Sequence, residues 1–146
     1  MIPKTLHFVW VGDADRLPRE DIDTWVRLNP TYDVRIWTDS DLNTGRWALQ
    51  RHIDDMYPIE LCGVADMMRY EIVFLHGGIA LDADSRCVRP LDDHLLEPRE
   101  FFCYENERKR PGLIATAVMA GEAQSPFYAE LINRLYRKPT VGDQRA

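Results

Sequence analysis

Gly77-Gly78-Ile79-Ala80-Leu81-Asp82-Ala83-Asp84 is the stretch whose reading decides the fold. A glycine pair directly after His76 is a helix stop, because the residue beyond a helix C-terminus often adopts a left-handed conformation that glycine takes without cost. Ile79-Ala80-Leu81 then makes a short apolar run, which predicts a buried strand that delivers Asp82 and Asp84 to the loop beyond it. If both are extended, alternate positions put the two carboxylates on one face. Paired hard oxygens of this kind suit Mn2+ or Mg2+, which commonly bridge one or two carboxylates to substrate phosphates. On its own such a pair is equally an exposed acidic turn.

Working back along the chain, Cys62 to Leu75 carries Val64, Met67, Met68, Ile72 and Val73 at helical spacings, the clearest helix in the sequence. Asp66 and Arg69 stand three apart on it and share a face. The plain reading is a surface salt bridge, worth little. Standing one helix before a strand that ends in two acids, they read better as a binding pair, with Arg69 offering forked donors and Asp66 an acceptor for ligand hydroxyls.

Further out, Lys4 to Val11 predicts a first buried strand closed by Gly12-Asp13. Pro18 opens a helix carrying Ile22, Trp25 and Val26, and Asn29-Pro30 ends it. Val34 to Trp37 follows as a strand, so the chain starts β-α-β. Asp39 to Tyr57 predicts short helices anchored by Leu42, Trp47, Leu49, Ile53 and Met56, with Pro58 as a break. Phe101 to Tyr104 and Ala115 to Met119 read as strands, and Pro126 to Tyr136 as a closing helix with Phe127, Leu131, Ile132 and Leu135 on one side. Glu105, Glu107, Arg108, Lys109 and Arg110 read as a solvated loop. With no repeat or linker to divide it, residues 1–146 are expected to form a single α/β domain.

A chain of 146 residues buries roughly 70% of its unfolded surface, so no disulfide or metal is needed to hold it together. A net charge of −6, with the positive side chains scattered, excludes a general nucleic-acid binder. An acidic protein that binds an anionic nucleotide needs a local remedy, such as a divalent cation or a well-placed Arg. Cys62, Cys87 and Cys103 are odd in number and lack metal spacing, which predicts free thiols in a reducing, cytoplasmic setting. No apolar run approaches the ~20 residues of a membrane span, and the start of the chain lacks the pattern of a secretion signal. His7, His52, His76 and His94 show no metal spacing, and His76 reads as a helix cap.

The run Ala65-Asp66-Met67-Met68-Arg69-Tyr70-Glu71, followed by Gly77 through Asp84, resembles the core block of the DXD-containing sugar transferases, which include yeast initiating mannosyltransferases, bacterial capsular-polysaccharide transferases and clostridial glucosylating toxins. Ile2 through Gly12 is similar to that family's first strand, and Trp25, Asn29-Pro30, Tyr32 and Trp37-Thr38-Asp39 fit its second block, so the likeness spans most of residues 2 to 92. The resemblance implies a GT-A-type nucleotide-sugar-binding fold, a Rossmann-like sheet flanked by helices. It implies transfer of a sugar, with retention of configuration, from a nucleoside-diphosphate donor (a UDP-sugar favoured) to a carbohydrate or protein-linked acceptor. Trp10 falls where an aromatic stacks on the base, and Asp66 and Arg69 where ribose and donor sugar are contacted. Asp82 would meet hydroxyls and metal-bound water, and Asp84 would ligate the Mn2+ or Mg2+. Asp82 and Asp84 are thus the expected catalytic and metal residues, and Trp10, Asp66, Arg69 and Asp82 the donor-binding ones.

Several features depart from the family pattern, among them Ser125-Pro126 where His-Pro is common. Ala80 stands where many relatives have an aromatic, which predicts a lost ligand contact. Thr116 stands where an Asn is usual, either as a hydroxyl donor or as a core strand residue. The sequence stops at Ala146 without the Thr-Gly-Pro-like segment that closes over the donor in relatives, which reads as a domain shortened at its C-terminus: a minimal enzyme, a piece of a larger protein or a truncated copy, with completion by a second subunit of a homo-oligomer as a further option. Two other readings compete. One is a degenerate transferase domain serving assembly or nucleotide sensing. The other is a haloacid-dehalogenase-like phosphatase with Asp82 as nucleophile, which would require a later Lys and acidic pair.

Overall fold

In a computed structural model describing residues 1–145, five strands form one mixed sheet in the order β2-β1-β3-β5-β4. β1 (Thr5–Val9) lies between β2 (Asp33–Trp37) and β3 (Gly78–Asp82) and runs parallel to both. The expected β-α-β opening is present, with α1 (Arg19–Leu28) as its crossover. β5 (Arg110–Gly121) then pairs antiparallel with β3 on one side and with β4 (Glu100–Asn106) on the other.

Strand alternation builds a core on each face of the sheet. Leu6, Phe8, Ile79, Leu81 and Ala120 point to the α1 side and pack with Ile22, Trp25 and Leu96. Val9 points to the other side, where α4 (Leu61–His76) buries Val64, Met68 and Ile72 against Ile53 of α3 (Gln50–Met56) and Ile132 of α5 (Pro126–Arg137). Ala80 sits there as well, fully buried with Val73, Met119 and Tyr128. The Asp39 to Tyr57 region holds two short helices, α2 (Asp39–Leu42) and α3, and a last short helix, α6 (Val141–Arg145), has no clear signal in the sequence.

The glycine stop is tighter than a simple helix end. Gly77 caps α4 at φ 65° and Gly78 starts β3 at φ 114°. A Cβ on Gly78 would sit 2.6 Å from the Thr5 carbonyl oxygen, so the helix turns straight into the central strand only because both positions lack a side chain.

Two sequence expectations change here. The charged segment Glu105 to Arg110 is not a free loop, since β4 and β5 continue into it as a hairpin in which Asn106 pairs with Arg110. Ala80 has no exposure and packs in the core, so its side chain cannot add or remove a contact in a cleft. Among the described residues the three cysteines are unpaired, and no helix is long and apolar enough to cross a membrane.

Candidate functional site

Beyond the C-terminal ends of β1 and β3 lies a cleft of about 550 Å³ whose lining includes Trp10, Asp66, Arg69, Asp82, Asp84 and Thr116. That position, outside the carboxyl ends of parallel strands, is where open α/β sheets bind ligands. Every site residue singled out in the sequence meets in this one cleft.

Arg69 organises its floor. The residue is only 6% exposed, yet its guanidinium joins two carboxylates: Nη1 donates to Asp66 Oδ1 at 2.8 Å and Nη2 lies 2.7 Å from Asp82 Oδ1. The i,i+3 pair is therefore part of a triad with a strand residue, built on a buried arginine and two half-buried carboxylates, and not a surface salt bridge. Arg69 Nε is buried without a partner among the described residues, an orphan of the kind that bound water or ligand satisfies. Burial pushes the Asp66 carboxyl up from its ordinary range, against the pull of Arg69 and of a contact from the Thr116 side chain.

Asp84 departs from the expected geometry. β3 ends at Asp82, and Ala83 and Asp84 lie in a turn, so the two acids are not same-face strand neighbours. The Ser85 amide and hydroxyl both donate to the Asp82 carbonyl, at 3.1 and 2.6 Å, and close that turn. Asp82 is left half-buried on Arg69 and Asp84 exposed at the rim. Helix α1 holds the segment that follows. The Trp25 indole donates to the Ser85 carbonyl at 3.0 Å, the Thr24 hydroxyl accepts from the Cys87 amide at 2.8 Å, and the Asn29 side chain accepts from the Leu91 amide at 2.8 Å. Trp25 and Asn29, quoted above as motif residues, thus act by fixing the chain beyond the D-x-D.

Trp10 forms the opposite wall. Its indole packs partly on the core, its Nε1–H donates to the Asp13 carbonyl at 2.8 Å, and the residue remains half-buried at the cleft edge. Thr116 reaches the cleft because of an irregularity in the sheet. Phe102 pairs with Met119 but Cys103 with Ala115, so β5 bulges over residues 116–118 and turns Thr116 toward Asp66. Of the two readings of Thr116, the cleft hydroxyl is the one observed.

Sequence reading missed Asp13, Arg16, Leu61, Cys62 and Ala65 as lining residues. Helical spacing offered a signal for part of these, since Leu61, Ala65 and Arg69 recur every four residues along α4. Asp13 and Arg16 lie around a 3-10 turn at Ala14–Arg16 that had no signal beyond Gly12-Asp13.

The lining carries four carboxylates (Asp13, Asp66, Asp82, Asp84) against two guanidinium groups (Arg16, Arg69). An anionic ligand would enter only with a cation to offset that balance. Asp82 and Asp84 fit a hard divalent ion in ligand chemistry. No third His, Cys, Asp or Glu joins them among the described residues, which suits an ion that takes its other ligands from phosphate and water. The lining contains no lysine, so the arrangement a dehalogenase-like phosphatase requires is not assembled.

Residues 16–102 match the family described as the glycosyltransferase sugar-binding region containing the DXD motif. The chain belongs to this family. Inositol phosphoceramide mannosyltransferase 3 of Schizosaccharomyces pombe is 30% identical over 144 residues, covering 93% of this chain and 38% of that protein. Mannosyl phosphorylinositol ceramide synthase CSH1 of Saccharomyces cerevisiae is 30% identical, over 94% of this chain and 37% of its own length. The chain therefore spans well under half of these relatives. The solved PaToxG glycosyltransferase superposes with a TM-score of 0.71 at 15% identity, covering 90% of this chain and 59% of that one, which establishes the GT-A-like α/β fold.

Proposed function

We propose that the protein is a metal-dependent glycosyltransferase that moves a hexose from a nucleoside-diphosphate donor, a UDP-sugar in the first instance, to a sugar-containing acceptor. The observation that carries this reading is the Asp66–Arg69–Asp82 triad on the floor of the cleft, with Asp84 on its rim turn. Membership of the DXD family, with one relative named a mannosyltransferase and another a mannosyl phosphorylinositol ceramide synthase, supports the reaction class.

In this reading Trp10 stacks on the base, since an aromatic face accepts any base without hydrogen-bond readout. Asp66 and Asp82, each with one oxygen on Arg69, present carboxylate oxygens to ribose and sugar hydroxyls. Asp82 and Asp84 would hold Mn2+ or Mg2+ against the diphosphate. When bound, that ion supplies electrostatic stabilisation of the departing nucleoside diphosphate. Retention is assigned without a protein nucleophile. None of the four lining carboxylates is assigned that role, and in this reading the acceptor hydroxyl enters on the face from which the diphosphate leaves.

The test is a panel of UDP- and GDP-sugars incubated with the protein and Mn2+, scoring nucleoside-diphosphate release with and without EDTA, beside calorimetry of the free nucleotides. EDTA-sensitive release from one donor identifies the enzyme and its donor. Asp84→Ala is expected to abolish metal-dependent donor binding while leaving the fold intact, because its side chain is exposed. Metal-dependent binding without release would instead support a nucleotide-sensing module. Unchanged metal-dependent binding in Asp84→Ala would reject the site.

A further inference from the structure

Asp39, from the Trp37-Thr38-Asp39 motif, does not line the cleft, yet its carboxylate ties together three elements that do so or lead there. Oδ2 accepts from the Gly12 amide at 2.8 Å, and Oδ1 accepts from the Tyr57 hydroxyl at 2.6 Å. Gly12 belongs to the loop after β1, Asp39 starts α2, and Tyr57 ends α3 just before α4. Resting on the reading above, we infer that Asp39 is a positioning residue for donor binding, acting through the Trp10–Asp13 loop, with Tyr57 as its partner.

The mechanical path is short. The Trp10 amide donates to the Trp37 carbonyl at 2.8 Å, which fixes the root of the loop beside β2. The Trp10 indole is in turn oriented by the Asp13 carbonyl. Gly12 lies between these two anchors, so the side-chain tether on its amide sets where Asp13, and therefore the indole, comes to rest. Gly12 also runs at φ 103°, and a Cβ there would lie 2.7 Å from Leu61 Cδ1, so the loop presses on the start of α4 where Leu61 lines the cleft. No other side chain in this wall holds the Gly12 amide among the described residues.

Hydrogen bonds to a carboxylate are the stronger kind, which is why one residue can hold this loop against the freedom of its glycine. Asp39 is only half-buried and Tyr57 is 39% exposed, so neither is a core residue whose loss alone would collapse the domain. The Asp39 hydrogen bond holds the Tyr57 hydroxyl above the ordinary range of a tyrosine, as expected when the proton is shared with an acceptor anion.

The experiment is a double-mutant cycle on the full chain, measuring UDP and GDP affinity in Mn2+ by calorimetry for Asp39→Ala, Trp10→Ala and the pair. Asp39→Ala is expected to weaken nucleotide binding about tenfold, and to add less than about twofold once Trp10 is already alanine, because the two act on one contact. Tyr57→Phe, which keeps the ring and removes one hydrogen bond, is expected to cost about threefold in the Trp10 background only. Asp39→Ser carries the same cycle if the alanine variant folds poorly, since its single short hydroxyl cannot span the Gly12 amide and the Tyr57 hydroxyl as the two carboxylate oxygens do. Full additivity of Asp39 and Trp10, or unchanged affinity in Asp39→Ala and Tyr57→Phe, overturns the positioning role while leaving the donor site standing. A wild-type chain that binds neither nucleotide with Mn2+ overturns both.

Discussion

Two polar clusters, one around the buried His7 and one around the buried Arg69, lie at opposite ends of β3 and serve opposite purposes. At the N-terminal side, His7 is fully buried and both ring nitrogens are occupied: the Trp37 indole donates to Nδ1 at 3.1 Å and Nε2 lies 2.8 Å from the Gly77 carbonyl. Since Nδ1 must accept, Nε2 carries the proton, and the ring is held neutral in one tautomer. At the C-terminal side, Arg69 shares itself between Asp66 and Asp82, and among the described residues its Nε has no partner. A cluster whose hydrogen bonds all close within the protein has nothing to offer a ligand and serves the fold. One on the floor of a cleft whose carboxylates stay 30% and 37% exposed has capacity left for a ligand.

The largest expected effect breaks the open cluster. Arg69→Ala leaves Asp66 and Asp82 side by side without their shared cation, and removing one member of a buried ion group costs about 3 to 5 kcal/mol. The lower part of that range is expected, because the two carboxylates keep 30% and 37% of their side-chain exposure. Urea unfolding reads the stability and calorimetry the loss of nucleotide binding. Arg69→Lys returns charge without the fork, so it should recover stability more than affinity. If both properties returned together with lysine, the triad would be a structural salt bridge, and the contrast with His7 would fail.

The second effect sharpens the closed cluster. Burial, reinforced by the charges of His76 and Arg35 and opposed by the Gly77 hydrogen bond, lowers the His7 pKa from 6.5 to about 4. A base with a depressed pKa in the folded state stays neutral while the unfolded chain takes up the proton. Its contribution is therefore full above pH 6.5 and is lost progressively as pH falls toward 4, on the order of 3 kcal/mol at the end. His7→Gln keeps a donor and an acceptor but does not titrate, so the stability difference between wild type and variant should narrow across that window. A constant difference by thermal melts at stepped pH would show that the His7 pKa is the same in the folded and unfolded chain, and the neutral buried ring would be rejected.

How much of this was legible follows the same division. The helix from Cys62 to Leu75, the glycine stop and the strand to Asp82 were readable because each is local: period, punctuation and apolar run lie within a few residues. The carboxylate pair and the Asp66–Arg69 pair were readable as candidates for that reason, but their joining through Arg69 to Asp82 was not. That contact spans a helix end and a strand, and no spacing rule expresses it. The extended D-x-D geometry failed because Ser85 turns the chain by bonding back to Asp82, a competition between side chain and strand that Ser often wins. The bulge that exposes Thr116 and the Gly12–Asp39 tether were invisible for a related reason, as each depends on register between distant segments.

The smallest effect tests whether openness, and not mere burial of charge, marks the site. Glu71 lies on the same helix as Arg69, two residues on, and is only 4% exposed. Its carboxylate accepts the Ala48 amide at 2.6 Å and the Leu49 amide at 3.0 Å, and so fixes the entry to α3. Burial raises its carboxyl while these two amides hold it down, which marks it as titratable and perturbed much like Asp66. By its hydrogen bonding, however, it belongs with His7. Glu71→Gln places an NH2 group against one of the two amide donors, and that unsatisfied contact is expected to cost about 1 to 3 kcal/mol in urea unfolding. Nucleotide affinity in Mn2+ should stay within about twofold of wild type, because the replaced oxygens face α3 and not the cleft. A loss of affinity as large as its loss of stability would show that any buried charge on this helix matters to binding, and the half-exposed carboxylates on Arg69 would then cease to distinguish the site.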